Sequence, residues 1–179
     1  MKRLIIILIL TLNFQSLTKA DDISDFQIEG ISIGDSLIDY FTKKEINKEK
    51  KYRIKYPNSN KFTAITFIEY SKFKIYDSVQ ANVKTNDKNY IIYSISGINY
   101  FKNKIDDCKK QKNLIYNELK DLFPAASIVN KTTKHAYDKS GKSTIHSSLF
   151  DMEDGSVVRV ECYDWSKKMF NKNDLDDQL

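Results

Sequence analysis

Residues 103–123, with the sequence NKIDDCKKQKNLIYNELKDLF, predict the longest helix of the chain and decide its fold class. Side chains able to cover a core recur at intervals of three and four residues, the spacing of one helix face. The residues of this face are Ile105, Cys108, Lys112, Ile115, Leu119 and Leu122. Asp106 and Asp107 lie in the first turn and Pro124 follows the end, as expected for a helix start and stop. Such a helix needs a second layer to cover its apolar face.

Extended segments on both sides of this helix predict that second layer. They are rich in β-branched and aromatic residues and are bounded by turn signals. They span residues 61–68, 73–85 and 90–101 before the helix, and residues 127–137, 143–151 and 156–163 after it. Asp35 or Ser36 can cap a short helix near the start, with Leu37 and Phe41 on one face, and a second short helix is predicted over residues 43–50. We therefore predict an α+β protein of two helix-plus-three-strand units, which form one antiparallel sheet or two abutting sheets, with the long helix packed on one face.

Two cysteines are predicted to join the long helix to the last strand. Cys108 lies on the apolar face of the helix. Val158, Val160 and Cys162 alternate with polar residues and so share one side of a strand. Two inward-facing cysteines are well placed to form a disulfide if the chain is exported to an oxidising compartment. We therefore predict a Cys108–Cys162 bond; two buried free thiols are the alternative.

The Asp154-Gly155 dipeptide predicts a hairpin between the last two strands. Asp-Gly is typical of a two-residue loop, and loop length sets the register of the flanking strands. A two-residue loop pairs Leu149 with Val160 and Ser147 with Cys162. This register keeps apolar side chains together on the face that meets the helix.

The two histidines are predicted to lie on opposite faces of the second group of strands. The segment Asp138-Lys139-Ser140-Gly141 favours a type I turn with a glycine bulge, which pairs His135 with Ile145. His135 is then half-buried, and His146 lies on the solvent side. Because a shared metal site needs both rings on one face, we expect no metal site and no cofactor.

No catalytic residue is predicted. The run Gly30-Ile31-Ser32-Ile33-Gly34 has the letters of a G-x-S-x-G nucleophile elbow, which also needs an oxyanion-hole loop upstream. If residues 1–20 are removed as a signal peptide, too few residues precede Ser32 to form that loop. The run is therefore expected to be a tight turn that leads into the first helix.

An aromatic patch is the candidate binding site. Tyr137, Tyr163 and Trp165 lie near predicted strand ends, on the outward side or beside it. Exposed aromatic side chains can contact glycans or protein surfaces. The alternative is that they are ordinary strand residues, because aromatic residues are common in strands.

The first 20 residues predict export. Lys2 and Arg3 precede an apolar run over residues 4–12, and small residues flank a cleavage site between Ala20 and Asp21. The run is shorter than the roughly 20 apolar residues of a spanning helix, so no stable membrane anchor is expected after cleavage. We predict a periplasmic or secreted protein with one α+β domain over residues 21–170 and a flexible acidic tail over residues 171–179.

The charge balance disfavours nucleic acid as a partner. Cleavage lowers the number of basic residues from 29 to 26 against 24 acidic residues, so the formal net charge falls from +5 to +2. The lysines are interleaved with acidic residues, whereas nucleic-acid binders show a clustered basic face. After cleavage, only Arg53 and Arg159 supply the guanidinium group best suited to phosphate contacts.

Four segments carry a resemblance to known proteins. They are residues 28–41 (IEGISIGDSLIDYF), 138–143 (DKSGKS), 154–155 (DG) and 162–165 (CYDW). In these segments the chain resembles a set of small exported proteins of AT-rich marine bacteria, which implies a periplasmic setting and no particular activity. The Gly-x-Ser opening before a helix and a three-stranded meander is also similar to BamE-type envelope modules and to tandem-repeat β-lactamase inhibitor proteins. Both of those bind other proteins.

These observations favour a non-enzymatic binding or protein-interaction module, with another envelope protein or a glycan as its partner. One alternative is a hydrolase of an envelope or extracellular polymer, which would need two carboxylates ~5 to 9 Å apart in a cleft. Another is a small-ligand carrier, which would need a deep apolar pocket between sheet and helix.

Overall fold

The computed structural model describes residue 23 and residues 26–49, 54–56, 59–102 and 104–169. The predicted signal peptide of residues 1–20, the cleavage site between Ala20 and Asp21 and the predicted tail of residues 171–179 lie outside the described residues. Within the described ranges, no helix combines the length and the apolar character needed to cross a bilayer.

The chain forms two halves; the first contains a two-stranded and a four-stranded antiparallel sheet, and the second contains a three-stranded one. The first half contains β1 (Gln27–Ile28), β2 (Ile31–Ser32), a 3₁₀ helix (Leu37–Asp39), α1 (Lys43–Glu49), β3 (Ile54–Tyr56), β4 (Ser59–Ile68), β5 (Ser78–Lys84) and β6 (Ile92–Ile98). The second half contains α2 (Ile105–Leu122), β7 (Ser127–Lys134), β8 (Thr144–Asp151) and β9 (Val157–Asp164). Strand order is β1-β2, β3-β4-β5-β6 and β7-β8-β9. The α+β class with a long helix is confirmed, and the described strands form separate sheets rather than one.

The sheet of the first half differs from the predicted three-stranded meander. It has an additional strand, β3, and β5 begins at Ser78 rather than at Phe73. The carboxylate of Glu29 accepts the backbone N–H groups of residues 74–76 at 2.7 to 3.0 Å. These bonds hold residues 74–76 in a loop, although their sequence alternates like a strand.

The core of the first half forms around the predicted helix start. Ser36 caps the 3₁₀ helix, since its Oγ accepts the backbone N–H of Ile38 at 3.3 Å. Leu37 and Phe41 are both buried, although the helix ends at Asp39, before Phe41. The ring of Phe41 stacks on Phe67 of β4 with 3.7 Å between centroids. This contact joins the N-terminal segment to the middle of the sheet.

The second half is held together by an apolar core and the predicted disulfide. The buried core residues on α2 and the strands are Leu119, Phe123, Phe150, Val158 and Val160. Cys108 of α2 and Cys162 of β9 are bonded, with 6.0 Å between their Cα atoms, and both are fully buried. The predicted disulfide between helix and strand is therefore confirmed.

The predicted register of the β8–β9 hairpin is wrong by one residue. The observed pairs are Leu149–Arg159 and Ser147–Glu161, where the prediction has Leu149–Val160 and Ser147–Cys162. The loop holds three residues instead of two, because the N–H of Met152 donates to the carbonyl of Ser156 at 3.0 Å. Gly155 ends this loop with a φ of 84°, a conformation that favours glycine.

The loop between β7 and β8 is also longer than predicted. The N–H of His135 donates to the carbonyl of Ser143, so His135 lies opposite Ser143 and not Ile145. The pairing is shifted by two residues, and side chains alternate between the faces of a strand, so His135 and Ile145 still lie on the same face. His146 pairs with Cys162, which places it on the face that packs against α2. The two histidines lie on opposite faces, as predicted, but His146 is on the helix side and not on the solvent side.

Candidate functional site

The sheet of the second half has two chemically different faces. We call the face that packs against α2 the inner face and the opposite one the outer face. Outer-face residues from β7 to β9 are Ser127, Val129, Lys131, Thr133, His135, Ser143, Ile145, Ser147, Leu149, Asp151, Val157, Arg159, Glu161 and Tyr163. Val129 and Val157 are each 45% exposed, and Ile145 and Leu149 are half-buried. The outer face therefore presents aliphatic side chains to its surroundings.

Aromatic side chains meet at one end of the outer face. The ring of His135 lies 4.3 Å from Trp165, 5.7 Å from Tyr163 and 5.7 Å from Tyr137, measured between centroids. We call these four residues the aromatic cluster. Tyr137 is 71% exposed, and the other three are half-buried. The structure thus brings together the three aromatic residues that the sequence singles out, and their binding role stays a prediction.

A buried carboxylate, Asp138, fixes the loop that carries Tyr137. Its oxygens accept hydrogen bonds from the backbone and hydroxyl groups of Ser140 (2.9 and 2.7 Å) and of Ser143 (3.0 and 2.7 Å). The hydroxyl of Ser166 adds a further bond at 2.9 Å. The hydroxyl groups of Ser140 and Ser143 lower the pKa of this carboxyl well below its usual range. Asp138 therefore ties the loop after β7 to the start of β8 and to the residue after Trp165.

The polar side chains in the middle of the outer face bond to one another. The carboxylate of Glu161 accepts the hydroxyl of Ser147 at 2.6 Å and that of Tyr163 at 2.9 Å. Arg159 lies 3.6 Å from the same carboxylate. Burial, and then the charge of Glu161, raise the pKa of Tyr163, so its phenol stays a neutral donor at ordinary pH. Ser147, Glu161 and Tyr163 are therefore already engaged with one another.

The imidazole of His135 acts as an uncharged aromatic ring. Its Nδ1 accepts the backbone N–H of Tyr137 at 3.2 Å, which assigns the proton of the neutral ring to Nε2. Burial lowers the pKa of His135, and the nearby charge of Asp138 opposes that shift. At neutral pH the aromatic cluster therefore carries no charge of its own.

The serine of the G-x-S-x-G run lies in the first half, in a structural setting. Ser32 is buried in β2, and its backbone N–H donates to the carboxylate of Asp35 at 2.9 Å. Gly30 and Gly34 flank it with φ values of 76° and 92°. This geometry closes a turn before the 3₁₀ helix. Among the described residues, no group of three His, Cys, Asp or Glu side chains could hold a metal ion.

The sequence patterns do not reveal the role of two residues of the site, Asp138 and His135. Asp138 reads as an ordinary turn residue, and its link to Ser166 spans 28 positions. The place of His135 in the aromatic cluster depends on the β7–β8 register, which the turn signals misassign. The three serines that bond to Asp138 lie in separate segments, so no local pattern reveals these bonds.

Comparison with known proteins does not assign the chain to a family. No family model matches it, and neither the curated proteins nor the solved structures contain a significant match.

Proposed function

We propose that this protein is a non-enzymatic binding module whose outer face docks an extended, largely apolar segment of a partner protein. The observation that carries the proposal is the outer face itself. Aliphatic residues there remain exposed, and Tyr137 stands beside them on a loop fixed by Asp138. Exposed apolar patches on a protein surface mark interaction sites. Tyrosine, tryptophan and arginine, all present here, are enriched at energetically important interface positions.

Hydrogen bonding on the outer face favours a protein segment over a glycan. A glycan is recognised through aromatic stacking together with polar groups that bond its hydroxyls. Here Ser147, Glu161 and Tyr163 already bond to one another. The aliphatic side chains and the rings of the aromatic cluster remain, with the polar side chains of Lys131, Thr133 and Asp151 around them. Such a surface gains most from covering apolar atoms.

The dimensions of the outer face suit a segment rather than a large globular surface. Each of its three strands has eight residues. At the usual rise and strand spacing, the face is roughly 25 Å long and roughly 15 Å wide, or roughly 400 Å². A standard protein–protein interface covers about 800 Å² on each partner. Lys131 and Arg159 are balanced on this face by Asp151 and Glu161, so the charges of the face favour neither an acidic nor a basic partner segment.

We place this module outside the cytoplasm. The predicted signal sequence motivates this, and the Cys108–Cys162 bond supports it, because stable disulfides form in oxidising compartments.

A selection experiment tests the proposed function. Random peptides are selected on the wild-type protein and then titrated while the emission of Trp165, the single tryptophan of the chain, is followed. We expect apolar peptides, and binding at least about tenfold weaker to Val157→Lys, since that charge would be buried in the contact. Ile75→Lys is the matched control, because Ile75 is 68% exposed in the first half.

Two results would contradict the proposal. One is equal peptide affinity for wild type and Val157→Lys. The other is that chito-oligosaccharides, and no peptide, change the emission of Trp165, which would instead support a glycan as the partner.

A further inference from the structure

A groove of about 550 Å³ lies on the inner face, between α2 and strands β7 and β8. Lys109 and Lys112 line it from α2, Asn130 and Thr132 from β7, and His146 from β8. We call it the cationic groove, because no acidic side chain lines it in the part of the chain that the structure describes. Lys131 of β7 and Ser147 of β8, which belong to the outer face, also border it.

Lys112 is the central charge of the cationic groove. It is half-buried, and its Nζ donates to the hydroxyl of Ser148 at 2.5 Å. Burial lowers the pKa of Lys112, and the more distant charge of Glu161 opposes that shift. No carboxylate of the described residues lies within 4.0 Å of its Nζ. A partly buried ammonium group is costly without a counter-charge, and a bound anion would supply one.

His146 also lines the cationic groove, and its ring can add a positive charge when it is protonated. Its Nδ1 lies 3.0 Å from the hydroxyl of Thr132 and its Nε2 3.3 Å from that of Thr144. Burial, Lys109 and Lys112 lower the pKa of His146, whereas Asp164 raises it. An anion placed between the ring and the lysines would reverse the effect of the lysines and favour the protonated ring.

Hydrogen-bond donors and an apolar wall complete the groove. The hydroxyl of Ser148 donates to Oδ1 of Asn130 at 2.5 Å, which leaves the amide nitrogen of Asn130 to donate elsewhere. The ring of Tyr116 lines the groove beside Lys112. We propose that the cationic groove binds the phosphate group of a small free phosphate ester, with the organic part of the ester against Tyr116.

Charge and size support this class of ligand. Two ammonium groups and an imidazole that can gain a proton match a group that carries two negative charges. The volume falls within the range of about 300 to 1,000 Å³ that is usual for small-molecule sites. The Cys108–Cys162 bond holds α2 over the sheet beside the groove, since Cys162 pairs with His146. The inference is independent of the proposed function of the outer face.

Nuclear magnetic resonance of the two histidines tests the inference. The pKa values of His135 and His146, the only histidines of the chain, are measured in sodium chloride and in sodium phosphate or glycerol 3-phosphate at equal ionic strength. We expect either phosphate to raise the pKa of His146 by about one unit, which is the linkage equivalent of tenfold tighter binding to the protonated ring. The pKa of His135, on the outer face, should not change and serves as the internal control.

Matched lysine variants locate the phosphate. Lys112→Met should weaken glycerol 3-phosphate binding by about tenfold or more, because a charge-assisted hydrogen bond is lost. Lys120→Met removes the same charge from an exposed position on α2 and should leave binding unchanged. An unchanged His135 signal in both variants shows that the fold is kept.

Three outcomes would overturn the inference. The first is that neither phosphate shifts the pKa of His146. The second is that both histidines shift equally, or that Lys120→Met weakens binding as much as Lys112→Met, which would indicate unspecific charge effects. The third is that Lys112 is needed only for sedimentation with phosphatidic acid vesicles while glycerol 3-phosphate does not bind, which would place the phosphate on a lipid.

Discussion

Loss of the Cys108–Cys162 bond should destabilise the second half by about 4 kcal/mol. The bond closes a chain segment of 54 residues. In the chain-entropy description, a loop of this length loses about 14 cal/mol/K on cross-linking, which gives about 4 kcal/mol at room temperature. The closed segment runs through most of α2 and all of β7 and β8 to Cys162 in β9. It includes no strand of the first half, so the effect should be greatest in the second.

Urea unfolding measures this effect with two signals. Emission of Trp165 reports on the second half, and far-ultraviolet circular dichroism reports on the whole chain. For a slope of about 2 kcal/mol/M, Cys108→Ala/Cys162→Ala should lower the urea midpoint of the Trp165 signal by about 2 M. Either single variant should lower it by a similar amount, because each breaks the bond. A midpoint that changes by less than about 0.5 M, equivalent to about 1 kcal/mol, would refute the reasoning.

Three further predictions concern the loop carboxylate and the first core. Asp138→Asn should shift the emission of Trp165 to longer wavelength, because the bonds that hold the neighbouring loop weaken; Asp154→Asn, in the other hairpin of the second half, should leave the emission unchanged. The pKa of Asp138 is lowered in the folded state, so its contribution to stability is complete above the ordinary carboxyl pKa of about 3.9 and is lost as the pH falls through the lowered value. Asp138→Asn should therefore make the free energy of unfolding less sensitive to acid below about pH 3.9. Urea midpoints measured across a pH series test this. Phe41→Ala should lower the free energy of unfolding by about 3 to 5 kcal/mol, since it removes a fully buried ring stacked on Phe67, and a loss below about 1 kcal/mol in urea unfolding would contradict the packing described for the first half.

Elements with a clear period could be predicted from the sequence. The helix of residues 105–122 follows from its spacing of three and four, and the alternation around Cys162 places that sulfur on the inner face. The disulfide follows from these two local patterns together. Both patterns are set by residues near one another in the chain, so the local sequence is enough to predict them.

The strand register could not be predicted, because it depends on loop length. Residues 144–151 place apolar side chains on both faces, so Leu149 and Phe150 do not decide which side faces the helix. The Asp-Gly pair fits a two-residue or a three-residue loop, and the choice reverses every side chain of β8. The consequence is chemical: His146 lines the cationic groove instead of lying on the solvent side.

The two candidate sites differ in how much of each was predictable. Tyr163 and Trp165 are two residues apart at the end of a strand, so their proximity follows from strand geometry. The anchoring of Tyr137 by Asp138 depends on serines from distant segments and has no local signal. The helical spacing places Lys112 on the apolar face of α2, which is correct for its position but does not reveal its contact with Ser148.

The most direct test of the outer face as the binding surface is a methyl chemical-shift map of a selected peptide bound to the protein. Val157 and Val158 are neighbours in β9 but lie on opposite faces, 45% and 7% exposed. We predict large shifts for the methyl groups of Val157 and Leu149, and small ones for those of Val158 and Val160. Shifts confined to the inner face, or to the sheet of the first half, would contradict the account.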